Sequence, residues 1–67
     1  MQDKAKMRVK RELNALWDKI LKLDNFMASE NFGKLDEAQR ALLYVQSGIM
    51  HAYRRILDAR LFLWKKL

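Results

Sequence analysis

Apolar residues recur along the first half of the chain at alternating spacings of four and three. These residues are Val9, Leu13, Leu16, Ile20, Leu23 and Met27. The spacing follows the helical period closely enough to place all six on one face. The pattern therefore predicts an amphipathic helix over residues 3–28.

The helical pattern is interrupted once, between residues 28 and 34. Ser29 can cap a short turn there, and Gly33 can adopt a positive φ. Asp36, with Gln39 three residues later, resembles a capping box and predicts a second helix over residues 36–66. Because the connection is short, we expect an antiparallel two-helix hairpin, all-α in class, as a single domain over residues 1–67.

The second predicted helix carries two adjacent rows of heptad-spaced residues. The first row is Leu42, Val45, Ile49, Ala52, Ile56, Ala59 and Leu63. The second row, one position later, is Leu43, Gln46, Met50, Tyr53, Leu57, Arg60, Trp64 and Leu67. The other helix of a hairpin can cover only one row, so the other row needs a second subunit, a ligand or a membrane.

We assign the subunit contact to the second row. The residues predicted to form it are Leu43, Met50, Leu57 and Trp64. The pattern thus predicts a homo-oligomeric helical bundle, a dimer or higher, with a hexamer among the compatible states.

Composition narrows the class of protein further. The 67 residues are 51% hydrophobic and 33% charged, which permits a folded core, and two glycines without proline exclude a turn-rich all-β fold. The absence of cysteine excludes disulfides, and a single histidine argues against a structural zinc site. We expect no cofactor. The apolar run at residues 61–64 is far too short to span a membrane, and the charged N-terminal stretch lacks a signal-peptide pattern, so we expect an intracellular protein.

The net charge of +6 is concentrated at both ends of the chain. Residues 1–11 and residues 54–67 each hold five basic side chains against one acidic, whereas residues 12–53 hold four basic against six acidic. A hairpin would gather both basic segments at one end. The acidic middle disfavours nucleic-acid binding as the role of this end. Membrane docking is disfavoured because the aromatic residues continue the helical rows.

We find no arrangement of residues that predicts catalysis. His51 has no carboxylate among its helical neighbours, and no phosphate-binding loop or nucleophile–base pair is present. Several acidic residues have a basic partner four positions away, including Asp18 with Lys22, Asp36 with Arg40, and Asp58 with Arg54. We therefore expect a protein that is not an enzyme.

Three polar residues interrupt the second row at seven-residue intervals: Gln46, Tyr53 and Arg60. Polar groups within an apolar stripe cost desolvation energy unless they are paired. They either fix the register of an oligomer or line an inter-subunit pocket for an anionic, planar ligand. Antiparallel pairing would set Gln46 level with Lys19 and Tyr53 level with Glu12.

A nucleotide would suit such a pocket, since an aromatic ring can stack on a base and cations can bind phosphate. The candidate ligand-binding residues are Arg8, Lys19, Gln46, Tyr53, Arg54 and Arg60.

Three segments carry a more specific pattern. They read Leu16-x-x-Lys19-x-x-x-Leu23-x-x-Phe26, then Ser29-x-x-Phe32-x-x-Leu35, then Leu42-Leu43-x-x-Gln46-x-x-x-Met50-x-x-Tyr53-x-x-x-Leu57-x-x-Arg60. Over about residues 8–61 this pattern resembles a group of small bacteriophage helical-hairpin proteins that includes the anti-CBASS sponges, which sequester cyclic oligonucleotide immune signals. The basic N-terminal stretch and the ending at residues 64–67 are not part of the resemblance.

The resemblance implies a phage protein in the cytoplasm of the infected bacterial host. It implies a symmetric homo-oligomer that holds a cyclic di- or trinucleotide between subunits without cleaving it. Two alternatives stay open: a helical interaction module that inhibits or scaffolds a host protein, and a small nucleic-acid-binding protein.

Overall fold

The computed structural model describes residues 2–66, with the side chains of residues 3–65. Helix α1 is Gln2–Met27, α2 is Glu30–Gly33 and α3 is Glu37–Lys66. The predicted all-helical class is confirmed, and the two long helices begin and end within one residue of their predicted bounds. The short α2 was not predicted. Leu67, the last member of the second row, lies outside the described residues.

The two long helices lie side by side and run in opposite directions. Contacts that come later in α3 fall earlier in α1: His51 with Asp24, Arg54 with Trp17, and Leu57 in one cluster with Val9. The result is a rod of 48 × 15 × 14 Å with a radius of gyration of 15.3 Å. A compact domain of this length has a radius of about 11 Å.

The core is a narrow strip between α1 and α3. Leu57 is 0% exposed and Ile20 is 1% exposed, with Val9 and Leu16 beside them. Around them pack Leu13, Met50, Leu61 and Trp64, which are partly buried. No polar or charged residue is buried among the side chains of residues 3–65.

The structure packs apolar members of the second row of α3, which we assigned to a subunit contact, against α1 of the same chain. Leu57, Met50 and Trp64 pack against α1 of the same chain, and Leu43 is half-buried on the same side. The first row is the exposed one: Leu42 62%, Val45 59%, Ile49 63%, Ile56 56% and Leu63 60%. The assignment of the second row to a subunit contact is thus wrong at Leu57, which no second chain can reach.

Side-chain volume explains this choice of row. The first row contains Ala52 and Ala59, which fill little space between two helices, whereas the members of the second row that pack against α1 are all large: Met50, Leu57 and Trp64. The polar member Tyr53 of the second row also finds a hydrogen-bond partner on α1.

The helix boundaries follow from local hydrogen bonds. The Gln39 amide donates to Asp36 Oδ1 at 2.8 Å, which confirms Asp36 as the N-cap of α3. Ser29 precedes α2, but its hydroxyl donates to the Phe26 carbonyl at 2.6 Å and makes no cap to α2. Gly33 does not adopt a positive φ, because α2 continues through it.

Three aromatic rings hold the connection in place. Phe32 is buried and meets Phe26 edge to face, with ring centroids 6.2 Å apart, and meets Tyr44 in the same manner at 5.5 Å. Each such pair contributes about 0.5–1.5 kcal/mol beyond its burial. The rings thus tie the end of α1 to the beginning of α3 through α2.

Replacing Leu57 tests the position of the core. Leu57→Ala leaves a cavity between α1 and α3, so we expect the free energy of unfolding to fall by about 2–5 kcal/mol in urea titrations followed by circular dichroism. Leu21→Ala is the matched control, because Leu21 is 56% exposed on α1. Equal losses from the two substitutions would contradict the core described here.

Candidate ligand-binding flank of the helix pair

The strip of α3 that packs against α1, centred on Leu57, divides the surface of the helix pair into two flanks. Tyr53 and Arg54 stand one turn before Leu57 but lie on opposite sides of it, since successive helical residues are separated by about 100°. We call the two surfaces the Tyr53 flank and the Arg54 flank. The predicted ligand residues are distributed between them.

A hydrogen bond between the two helices organises the Tyr53 flank. The Tyr53 hydroxyl donates to Glu12 Oε1, which confirms the predicted pairing of these two positions. Arg60 lies near enough to act electrostatically on the same hydroxyl. Tyr53 stays 38% exposed, so its ring is open to a ligand on its outer side.

These neighbours change the acidity of the phenol. The hydrogen bond to Glu12 raises the pKa of Tyr53 above 10.0, because the bond is lost when the phenol ionises. Partial desolvation and the negative charge of Glu12 raise the pKa further, and the Arg60 guanidinium lowers it. The hydroxyl is therefore held as a hydrogen-bond donor at neutral pH.

The remaining predicted residues of this flank surround the pair. The Arg60 guanidinium lies 5.8 Å from the centroid of the Trp64 ring, a cation–π contact that steers it along α3. The Gln46 amide points to Met50 Sδ at 3.9 Å on its own helix. Arg8 and Lys19 stand one turn before and two turns after Glu12 on the same side of α1, and both are exposed.

Arg54 is separated from this group. Its guanidinium lies 4.8 Å from the centroid of Trp17, and its Nη1 donates to Asp58 Oδ2 at 2.8 Å. Its Nε is buried without a hydrogen-bond partner. These contacts tie Arg54 to the helix pair itself, so the structure does not place it with Tyr53 and Arg60, contrary to the prediction.

The Arg54 flank also contains a histidine–aspartate contact between the two helices, which the neighbours of His51 on its own helix do not predict. His51 Nε2 lies 3.4 Å from Asp24 Oδ2, across the two helices. The expected ion pairs of Asp18 with Lys22, at 3.0 Å, and of Asp58 with Arg54 are both present. Asp36 instead uses its carboxylate to cap α3.

Comparison with known proteins places the chain in a family. The family model for Sequestin matches residues 3–63, so the chain belongs to the Sequestin family. No curated protein and no solved structure matches it. Among the described residues, neither long helix is apolar enough over a sufficient length to cross a membrane.

Titration of Tyr53 tests the geometry of the flank. In a Tyr44→Phe background Tyr53 is the single tyrosine, and phenolate absorbance should report a pKa above 10.0. Glu12→Gln removes the carboxylate, so this pKa should fall. An identical titration with and without the Glu12 carboxylate would contradict the contact.

The same shift makes a prediction about stability. Because the folded-state pKa of Tyr53 is raised, the contact stabilises the fold fully below pH 10.0 and ceases to do so as the pH rises through the folded-state value. The difference in unfolding free energy between the parent and Glu12→Gln, measured by urea titration, should therefore be largest below pH 10.0 and should shrink as the pH rises through the folded-state value. A difference that stays the same across this pH range would count against the linkage.

Proposed function

We propose that this protein is a sponge that binds a cyclic di- or trinucleotide signal between its subunits and holds it uncleaved. We place it in the cytoplasm of a phage-infected bacterium, in keeping with the resemblance described above. The observation that carries the proposal is the cluster of Tyr53, Glu12 and Arg60 on an open flank. Membership of a family named for sequestration supports the same function.

The chemistry of the Tyr53 flank suits a nucleotide. Arg60, Arg8 and Lys19 offer charge to phosphate groups, and the planar guanidinium of arginine favours bidentate contacts. The exposed side of Tyr53 can stack on a base. Leu42, Ile49 and Ile56 of the first row lie next to these groups and provide an apolar border.

Binding without turnover needs only this arrangement. The carboxylate of Glu12 accepts a hydrogen bond from the Tyr53 hydroxyl. On the other flank, Asp24 faces His51 and Asp58 faces Arg54. On the Tyr53 flank the Glu12 carboxylate is engaged by Tyr53, and Arg60, Arg8 and Lys19 are the groups that can hold the phosphates of a ligand unchanged. We propose accordingly that the protein is not an enzyme.

The proposed homo-oligomer accounts for the unusual surface of the helical hairpin. The chain exposes 5516 Å², whereas a compact protein of 8.0 kDa exposes about 4,450 Å². The excess is of the order of the ~800 Å² per partner buried in a stable interface. Each large side chain of the first row would contribute roughly 1.5–3 kcal/mol if fully buried.

The exposed first row also favours a second candidate, a helical module that binds and inhibits or scaffolds a host protein. The two functions differ in their response to small ligands. A sponge gains thermal stability when a cyclic nucleotide binds the folded state, whereas an interaction module gains none. The third alternative is a nucleic-acid-binding protein. It would be favoured if the protein protects a nucleic-acid fragment from digestion and cyclic nucleotides leave its thermal stability unchanged.

Calorimetric titration with a panel of cyclic di- and trinucleotides tests the sponge. Arg60→Ala should weaken binding by roughly 1.5–3 kcal/mol, the value of a charge-assisted hydrogen bond, while sedimentation shows an unchanged oligomer. Arg11→Ala is the matched control, because Arg11 is an exposed arginine of the same basic end on the outer face of α1. If Arg60→Ala and Arg11→Ala weaken ligand binding equally, the effect comes from the overall positive electrostatic field and not from a direct contact of Arg60.

Recovery of the ligand separates sequestration from hydrolysis. After heat denaturation of the complex, chromatography should return the cyclic nucleotide intact and in full. Recovery of linear products would contradict sequestration. If the calorimetric titration shows no heat of binding with any cyclic nucleotide of the panel, the interaction module is favoured.

A further inference from the structure

The first row of α3 is an apolar face that no part of the described chain covers. Its five large members are each more than half exposed, although they run for six turns along a 30-residue helix. From the symmetry of this face we infer that a second copy of the chain covers it. The two α3 helices pair antiparallel across a two-fold axis at Ala52, and this pairing completes the ligand site.

The row reads nearly the same in both directions from Ala52. Ile49 and Ile56 lie three and four positions away, and Leu42 and Leu63 lie ten and eleven positions away. A two-fold axis at Ala52 therefore sets isoleucine near isoleucine and leucine near leucine, which an isologous interface requires. The small side chain at the axis lets the helices approach closely.

Charge selects the antiparallel orientation over the parallel one. Residues 54–67 carry a net charge of +4, and residues 1–11 at the same end carry another +4. A parallel pair would bring two such ends together, whereas an antiparallel pair places each basic end near the acidic middle of the other copy. The orientation with the lower repulsion is thus the antiparallel one.

Gly48 leaves open space on α3 into which a neighbouring chain can pack. It lies within α3, where glycine weakens a helix relative to alanine, and a Cβ there would meet nothing within 4 Å. Its φ is not positive, so the backbone does not require glycine. Gly48 and Arg55 lie four and three positions from Ala52, so the proposed pair sets the long Arg55 side chain of one copy over Gly48 of the other.

The same axis completes the candidate site, and this step rests on the proposed function. Tyr53 lies one position from Ala52, so the two tyrosines meet near the axis, while Gln46 of one copy approaches Arg60 of the other. A ligand on the axis would find two equivalent tyrosines, each bonded to Glu12 of its own chain, and two equivalent arginines. Two equivalent phosphates are the chemistry that such a site recognises, and a cyclic dinucleotide carries them.

Crosslinking tests the axis directly, because the chain has no cysteine of its own. Ala52→Cys should form a covalent dimer on mild oxidation without nucleotide, whereas the control Leu21→Cys, exposed on the Arg54 flank, should not. Comparable yields from both variants would overturn the proposed interface.

Orientation is tested with a short bis-maleimide linker. Leu42→Cys and Leu63→Cys should each remain unlinked alone and should link when the two variants are refolded together. Efficient linking of Leu42→Cys with itself would mean a parallel pair and would overturn the antiparallel arrangement.

A charge within the row provides a second test. Ile49→Glu should convert the oligomer to a helical monomer in sedimentation and circular dichroism, and Leu21→Glu should leave it associated. An unchanged oligomer in Ile49→Glu would refute the interface, and if that variant fails to fold the crosslinks decide. The crosslinking and sedimentation measurements are made without nucleotide. A result that contradicts the dimer is therefore distinguishable from a result that contradicts ligand binding.

Discussion

The geometry of one helix packed on another constrains this protein more than any other interaction. Helix α3 presents apolar residues around more than half of its circumference, but α1 can cover only the strip centred on Leu57. That single contact fixes the rotation of α3. It buries Leu57 and partly buries Met50 and Trp64, leaves the first row exposed, and places Tyr53 and Arg54 on opposite flanks.

The two flanks consequently differ in chemistry although their residues are adjacent in sequence. On one side, Arg54 is committed to Trp17 and Asp58, and His51 faces Asp24. These contacts use up the charges and strengthen the helix pair. On the other side, the Tyr53 hydroxyl is fixed by Glu12 while the cations nearby remain exposed. We therefore propose the ligand-binding role for the Tyr53 flank.

Local sequence signals predicted the helices well, and they also predicted one contact across them. Asp36 with Gln39 marks the beginning of α3, and the heptad register sets Tyr53 level with Glu12. Which row of α3 is buried could not be read from hydrophobicity, because both rows are apolar and side-chain volume decides between them. Ser29 and Gly33 were misjudged because the unpredicted α2, held by Phe32, changes their backbone surroundings. The partner of His51 was missed because it belongs to the other helix.

Native mass spectrometry after incubation with a mixed panel of cyclic nucleotides tests the central claim most directly, since it reports subunit number and bound mass together. Sequestration between subunits predicts an assembly of even subunit number that retains intact cyclic nucleotide, with one ligand for each pair of chains. A monomer that carries the ligand by itself, or an assembly that carries none, would contradict the account.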